Sequence, residues 1–200
     1  MRTFGVLLAG WLVGAGVVVA LAAPRRASAP APVAHARLTV VSAAPPVAST
    51  DNGAELLIPV RGVVASELHD TYAQARSGGR VHDAIDILAP RGTPVIAAVD
   101  GTIRKLFTSN AGGLTIYEFD RDAQRVYYYA HLDSYADGLA EGLVVTRGTV
   151  IGYVGTTGNA PANTPHLHFA IETLPPTKEW WKGTPLNPYP LLTTRAATLP

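Results

Sequence analysis

Pro165-His166-Leu167-His168-Phe169-Ala170-Ile171 reads as a strand, and the interpretation of the whole chain turns on it. Leu167, Phe169 and Ile171 are read for their aromatic and β-branched character rather than as one clean face. Alternate side chains of a strand share a side, so His166 and His168 point the same way, about 7 Å apart along the backbone. Two imidazoles held this way on a rigid strand can serve as one metal ligand and one proton-transfer group. Alone the pair does not define a site. Its meaning depends on partners elsewhere in the chain.

Outward from this stretch, the pattern is short apolar runs separated by turn residues. Val95 to Val99 is followed by Asp100-Gly101, a hairpin signal, and Thr102 to Phe107 returns. Leu114 to Phe119 and Arg125 to Ala130 flank Asp120-Arg121-Asp122-Ala123 as a second hairpin. Gly142 to Val145 and Val150 to Val154 continue the rhythm, and Leu56 to Val60 opens it. Gly155-Thr156-Thr157-Gly158-Asn159-Ala160 lacks the Gly-Lys-Ser/Thr ending of a phosphate loop and reads as a flexible lead into the His-Leu-His strand. Strands at this spacing imply a mainly β, antiparallel sheet domain with Gly/Pro-rich loops and few short helices.

The chain has 200 residues, 19 Gly and 16 Pro, no Cys, and a formal net charge of +1. That balance implies no surface for nucleic acid or another polyanion. The lack of Cys excludes disulfides, Cys-type zinc fingers and a thiol nucleophile. A metal site must therefore use His, Asp and Glu. Of six histidines, His35 sits in a linker, and His69 has no second ligand at useful spacing. His82, His131, His166 and His168 remain, joined by Asp86. His82 and Asp86 stand four apart, about 13 Å on a straight strand, so a bend near His82 is needed to bring them together. Three N/O ligands plus water is the composition of a catalytic zinc site. No His-Glu-x-x-His is present, which excludes the thermolysin arrangement. Tyr127, Tyr128 and Tyr129 read as core and groove wall. Asn110 and Asn163 read as loop polarity or as peptide contacts.

The N-terminus has its own character. Arg2 precedes an uncharged run whose apolar core spans residues 4–23, ending in small residues. This fits a signal peptide or a hydrophobic helix acting as a single-span membrane anchor. Residues 24–54, rich in Ala and Pro, read as a linker. The folded domain is expected over 55–175, with a Pro/Trp-containing tail over 176–200. Either N-terminal reading places the domain outside the cytoplasm.

His82-x-x-x-Asp86, Tyr129-Ala130-His131-Leu132 and His166-Leu167-His168 resemble, in order and spacing, the motifs of the M23 family of zinc metallopeptidases, the lysostaphin/LytM-type peptidoglycan endopeptidases. The likeness runs from about Leu56 to Glu172 and includes Gly148 to Gly155. Trp180-Trp181 and Leu186 to Pro190 are similar to a tail of bacterial members. One departure is Ala84, where the family motif His-x-Gly-x-Asp has Gly. The resemblance implies one Zn²⁺ per chain held by His82, Asp86 and His168, with His131 and His166 as unligated catalytic histidines. It implies hydrolysis of peptidoglycan peptide in the cell envelope. Two alternatives stay open: a zinc-free module that activates another wall hydrolase, and a zinc amidase.

Overall fold

The computed structural model describes residues 56–194. The expected N-terminal helix and the whole of the linker lie outside the described residues. Nine strands form one antiparallel sheet there: β1 (Ile85–Leu88), β2 (Pro94–Ile96), β3 (Gly101–Ser109), β4 (Gly113–Asp120), β5 (Arg125–Tyr135), β6 (Val144–Val145), β7 (Val150–Val154), β8 (His166–Thr173) and β9 (Thr184–Leu186). The main order is β1-β8-β5-β4-β3-β6, with β7 bridging β5 to β2 and β9 pairing with β8. Among the described residues, helix is confined to α1 (Pro188–Thr193) and the 3-10 turns Ala65–Glu67 and Ser77–Gly79. The mainly β expectation holds.

One face of the sheet is closed by core. Ile85, Ile103, Ile116, Tyr129, Leu167, Phe169 and Ile171 are all fully buried. Leu167, Phe169 and Ile171 therefore share one clean face after all, as period-2 geometry requires. Their alternates, His166 and His168, stand on the other side. That opposite face carries the site.

Three local readings need correction. Asp100-Gly101 is not a hairpin: β2 pairs with β7, while β3 pairs with β4 and β6. Asp100 instead accepts the Arg147 backbone N–H at 2.8 Å. A β-carbon on Gly101 would lie 2.2 Å from the Phe119 carbonyl oxygen, so close strand approach is what requires glycine here. Leu56 to Val60 is not a full strand: it runs beside residues 94–98 through the Val60–Val95 bridge and backbone bonds from Leu57 to Ala98 and from Ile96 to Pro59, both 3.0 Å. Thr184 to Leu186, expected within a tail, extends the sheet beside Ile171 to Thr173.

Glu118 is the unusual member of the core. It is fully buried on β4. Its Oε2 accepts from the Tyr129 hydroxyl, which itself accepts the Ala98 N–H at 2.9 Å, while Oε1 has no hydrogen-bond partner. Burial pushes the carboxyl up to about 8, against the Tyr129 bond that pulls it down. A folded-state pKa above the unfolded value means the native state holds the extra proton. Stability linked to that proton is complete below about pH 4.5 and is lost as pH rises through 8. Glu118→Gln removes the charge and keeps an acceptor for Tyr129. It should raise the melting temperature at pH 8 by roughly 3–8 °C, for ~1–2 kcal/mol, with little change at pH 5. Equal shifts at both values would contradict this.

Candidate metal centre and catalytic cleft

Register brings the distant residues together. β1 and β8 pair so that Asp86 lies opposite His168, and β5 pairs Ala130 with His168. His82 precedes β1. It reaches the same place because Asp83 takes a left-handed backbone, φ 55°, a conformation Asp tolerates better than most residues. This is the bend that the four-residue spacing required. It falls at Asp83, and Ala84 is fully buried beside it. Alanine in the family's glycine position therefore leaves the approach to Asp86 intact.

His82 Nε2 lies 3.0 Å from Asp86 Oδ1 and 3.0 Å from His168 Nδ1, and His168 Nδ1 lies 3.3 Å from Asp86 Oδ1. Ligand atoms of a tetrahedral zinc site at ~2.0–2.1 Å are about 3.3 Å apart, so the triangle fits one such ion. Two imidazoles and a carboxylate are also the donor types zinc takes. Tautomers agree with this. His82 Nδ1 must donate to the Thr71 carbonyl oxygen, 2.9 Å away, because that oxygen can only accept. Its Nε2 lone pair is thereby turned to the centre. Burial alone would raise the Asp86 carboxyl. The adjacent His168 and His82 rings and the Arg76 guanidinium instead hold it far below the usual carboxylate range. Burial also lowers His168, against its bond to Asp86, which favours the neutral ring that can ligate a metal.

His131 is delivered by a bulge. Tyr127 and Tyr129 point into the core, and His131 would follow them by alternation. Between Ile116 and Leu114 the register with β5 slips by one residue, and His131 adopts φ 62°. The extra residue re-aims the imidazole to the site face. Its ring lies 5.0 Å from that of His166 and 5.6 Å from that of His168. His131 Nδ1 donates to the Thr157 carbonyl at 2.8 Å, and His166 Nδ1 donates to the Thr164 carbonyl at 2.7 Å. Burial pushes His131 down to about 4, partly offset by the Thr157 bond. His166 Nε2 faces Asp86 Oδ1 at 3.7 Å. All five residues singled out in the sequence thus converge.

The loop carrying Thr157 is packed rather than loose. Thr157 Oγ1 donates to the Leu132 carbonyl at 2.7 Å and accepts the Leu114 N–H at 3.0 Å. Gly113 and Gly158 meet so closely that a β-carbon on Gly158 would stand 2.3 Å from the Gly113 nitrogen. This contact fixes the loop against the turn before β4, and with it the His131 ring.

The cleft above these residues has a volume of about 500 Å³. Tyr128 forms part of its wall, as expected, while Tyr127 and Tyr129 are core. Asn159 lines it; Asn110 and Asn163 do not. Three contributors escaped the sequence reading. Thr71 accepts from His82 and, through Oγ1, from the Asp86 N–H at 3.1 Å. Arg76 donates to Asp86 Oδ2 at 2.7 Å, leaving Oδ1 toward the histidines. Thr157 orients His131. None of them sits in a motif, and backbone carbonyl partners leave no residue-type signal.

The family model of Peptidase family M23 matches residues 80–188, and the chain belongs to that family. Among curated relatives, the L-Ala–D-Glu endopeptidase of Bacillus subtilis strain 168 is 35% identical over 130 residues, covering 61% of this chain and 38% of that protein. The DD-carboxypeptidase/endopeptidase Mpg of Neisseria meningitidis serogroup B (strain MC58) is 40% identical over 110 residues, covering 54% and 22%. The chain therefore spans well under half the length of these relatives. The catalytic domain of lysostaphin from Staphylococcus simulans superposes with a TM-score of 0.52 at 30% identity, covering 62% of this chain and 89% of that one.

Proposed function

We propose that this chain is a zinc-dependent endopeptidase that hydrolyses peptide stems or cross-links of bacterial peptidoglycan, working in the cell envelope outside the cytoplasm. The convergence of His82 Nε2, Asp86 Oδ1 and His168 Nδ1 within 3.3 Å of one another, with two further histidine rings beside them, carries this reading. His82, Asp86 and His168 would hold the ion. When bound, zinc supplies Lewis acidity, polarising the scissile carbonyl and making a water acidic near neutral pH.

The chain's own groups do the rest. His131 is neutral at pH 7, and its Nδ1 proton is committed to Thr157. Its Nε2 is thus a bare acceptor, suited to take the proton of the attacking water. His166, anchored through Nδ1 to Thr164, presents Nε2 to the same space. It hydrogen-bonds the developing oxyanion or delivers a proton to the leaving amine. Arg76 and Thr71 hold the Asp86 carboxylate and the His82 ring in place. An extended peptide lying along the open sheet face suits the cleft.

The presence of all five residues favours this enzyme over a zinc-free activating module. The test is muropeptide analysis of purified sacculi digested by the purified protein, with and without a chelator. Cleaved stems or cross-links whose remaining peptide is still on the glycan, abolished by chelation, are expected. Whole stems freed from glycan would instead identify an amidase, and an inert but folded protein would identify a module.

A further inference from the structure

The face that carries His168 does not end at the metal-ligand cluster. It continues as an unbroken row of aromatic rings. Tyr128 stands edge-on to His168 with centroids 5.9 Å apart, Tyr117 lies 4.7 Å from Tyr128, and Trp180 lies 4.5 Å from Tyr117. At the outer end Trp180 meets Phe107 at 5.7 Å and Trp181 at 5.2 Å. Sheet register explains the alignment, since Tyr128 is directly opposite Tyr117 on β4. Trp180 is seated on a small separate core of Phe119, Val126 and Leu174. The segment bearing it is tied down by Lys178, whose Nζ donates to the Ala123 carbonyl at 2.6 Å.

The inner rings are half-buried, but Phe107 is 42% exposed and Trp181 57% exposed. These outer rings add little to the fold, and such a contiguous exposed aromatic surface marks a contact site. Each Trp and Tyr also carries a polar tip beside its apolar face. Glu172 lies close enough to act on the Tyr117 and Tyr128 hydroxyls, and Lys105, whose Nζ is paired with Glu141 at 2.8 Å, is opposite Tyr117 on β3. The rings stand at 42–76° to one another, so it is the exposed face of an individual ring, with hydrogen-bonding groups at the rim, that matches a pyranose ring, which has a C–H face and a polar edge.

We propose that the Tyr117–Trp180–Trp181–Phe107 surface is a carbohydrate-stacking platform for an amino-sugar ring of the glycan strand that bears the peptide being cut. This rests on the peptidoglycan reading above. Its occupant follows from continuity with the cleft, because a substrate lying across His168 and Tyr128 runs onto the platform. Three ring steps of 4.5–5.9 Å separate His168 from Trp180. An extended peptide covers that distance in about four residues. The platform therefore serves stems cut several residues away from the sugar, not the bond adjacent to it.

The test uses the full chain as wild type, Trp181→Ala and Phe107→Ser, both at exposed positions, with melting temperature as a folding control. Binding of an N-acetylglucosamine hexamer is titrated calorimetrically, and kcat/KM is measured on intact sacculi and on a sugar-free cross-linked peptide dimer. Wild type should bind the hexamer, and each variant should weaken that binding about two- to tenfold. On sacculi kcat/KM should fall by a similar factor, with the sugar-free dimer cleaved within twofold of wild type. Equal losses on both substrates, or no loss of hexamer binding, would overturn the platform. So would loss only of binding to anionic phospholipid vesicles, which would make the surface a membrane contact. A wild type that binds the hexamer but cleaves neither substrate would sink the endopeptidase reading and leave the sugar site standing.

Discussion

His168→Ala is expected to abolish zinc binding and hydrolysis together. The imidazole lies opposite Asp86 in the β1–β8 register, with Nδ1 within 3.3 Å of both other donors. Its loss leaves two ligands, and two cannot define the open three-ligand site that catalytic zinc uses. Loss of kcat/KM by at least about a thousandfold is expected, ~4 kcal/mol of transition-state stabilisation. The fold should survive, because the ring stands on the cleft side of β8 while Leu167 and Phe169 hold the strand from the core side. Zinc content by mass spectrometry, activity on sacculi and circular dichroism check the three parts. Retained zinc at one equivalent would refute the ligand assignment. Retained activity would refute the mechanism.

His131→Ala should fail differently. It is expected to keep zinc and lose about 10²–10⁴ in kcat, the range of a positioned general acid or base. His131 belongs to no short donor–donor contact of the ligand triangle, and Thr157 rather than a ligand fixes its ring. One confounder is its left-handed backbone. Alanine there adds strain that could relax the bulge, so His131→Asn is the companion variant, because Asn occupies that region with less difficulty. If Asn is as inactive as Ala while both retain zinc, the imidazole itself is what matters. If Asn restores activity, the bulge geometry was the requirement and the proton-transfer role fails.

Much of this arrangement was legible in the residues, for physical reasons that differ from place to place. Period-2 alternation put His166 and His168 on one side of a strand; the same alternation places Leu167, Phe169 and Ile171 together on the core face, against the expectation that they would not share one. The His82–Asp86 spacing demanded a bend, and Asp83 supplies it. His131 was recognisable by motif, but alternation alone would have buried it beside Tyr129; only a register slip against β4 turns it outward, and a single sequence carries no signal for that slip. Asp100-Gly101 misled because hairpin chemistry and close strand packing call for the same residue. Thr71 and Thr157 were invisible because their carbonyls orient the rings and their hydroxyl bonds join segments far apart in sequence. The Gly155–Ala160 loop looked loose because its rigidity comes from contact with the turn before β4. The aromatic row was split across four elements and became continuous only once β3, β4, β5 and the 175–183 segment were packed.

The most direct test is zinc stoichiometry, measured side by side on purified wild type, His131→Ala and His168→Ala under non-chelating conditions. The account predicts about one equivalent in wild type and in His131→Ala, and less than about a tenth in His168→Ala. Wild type below a tenth of an equivalent, or a His168→Ala protein still carrying a full equivalent, would contradict it.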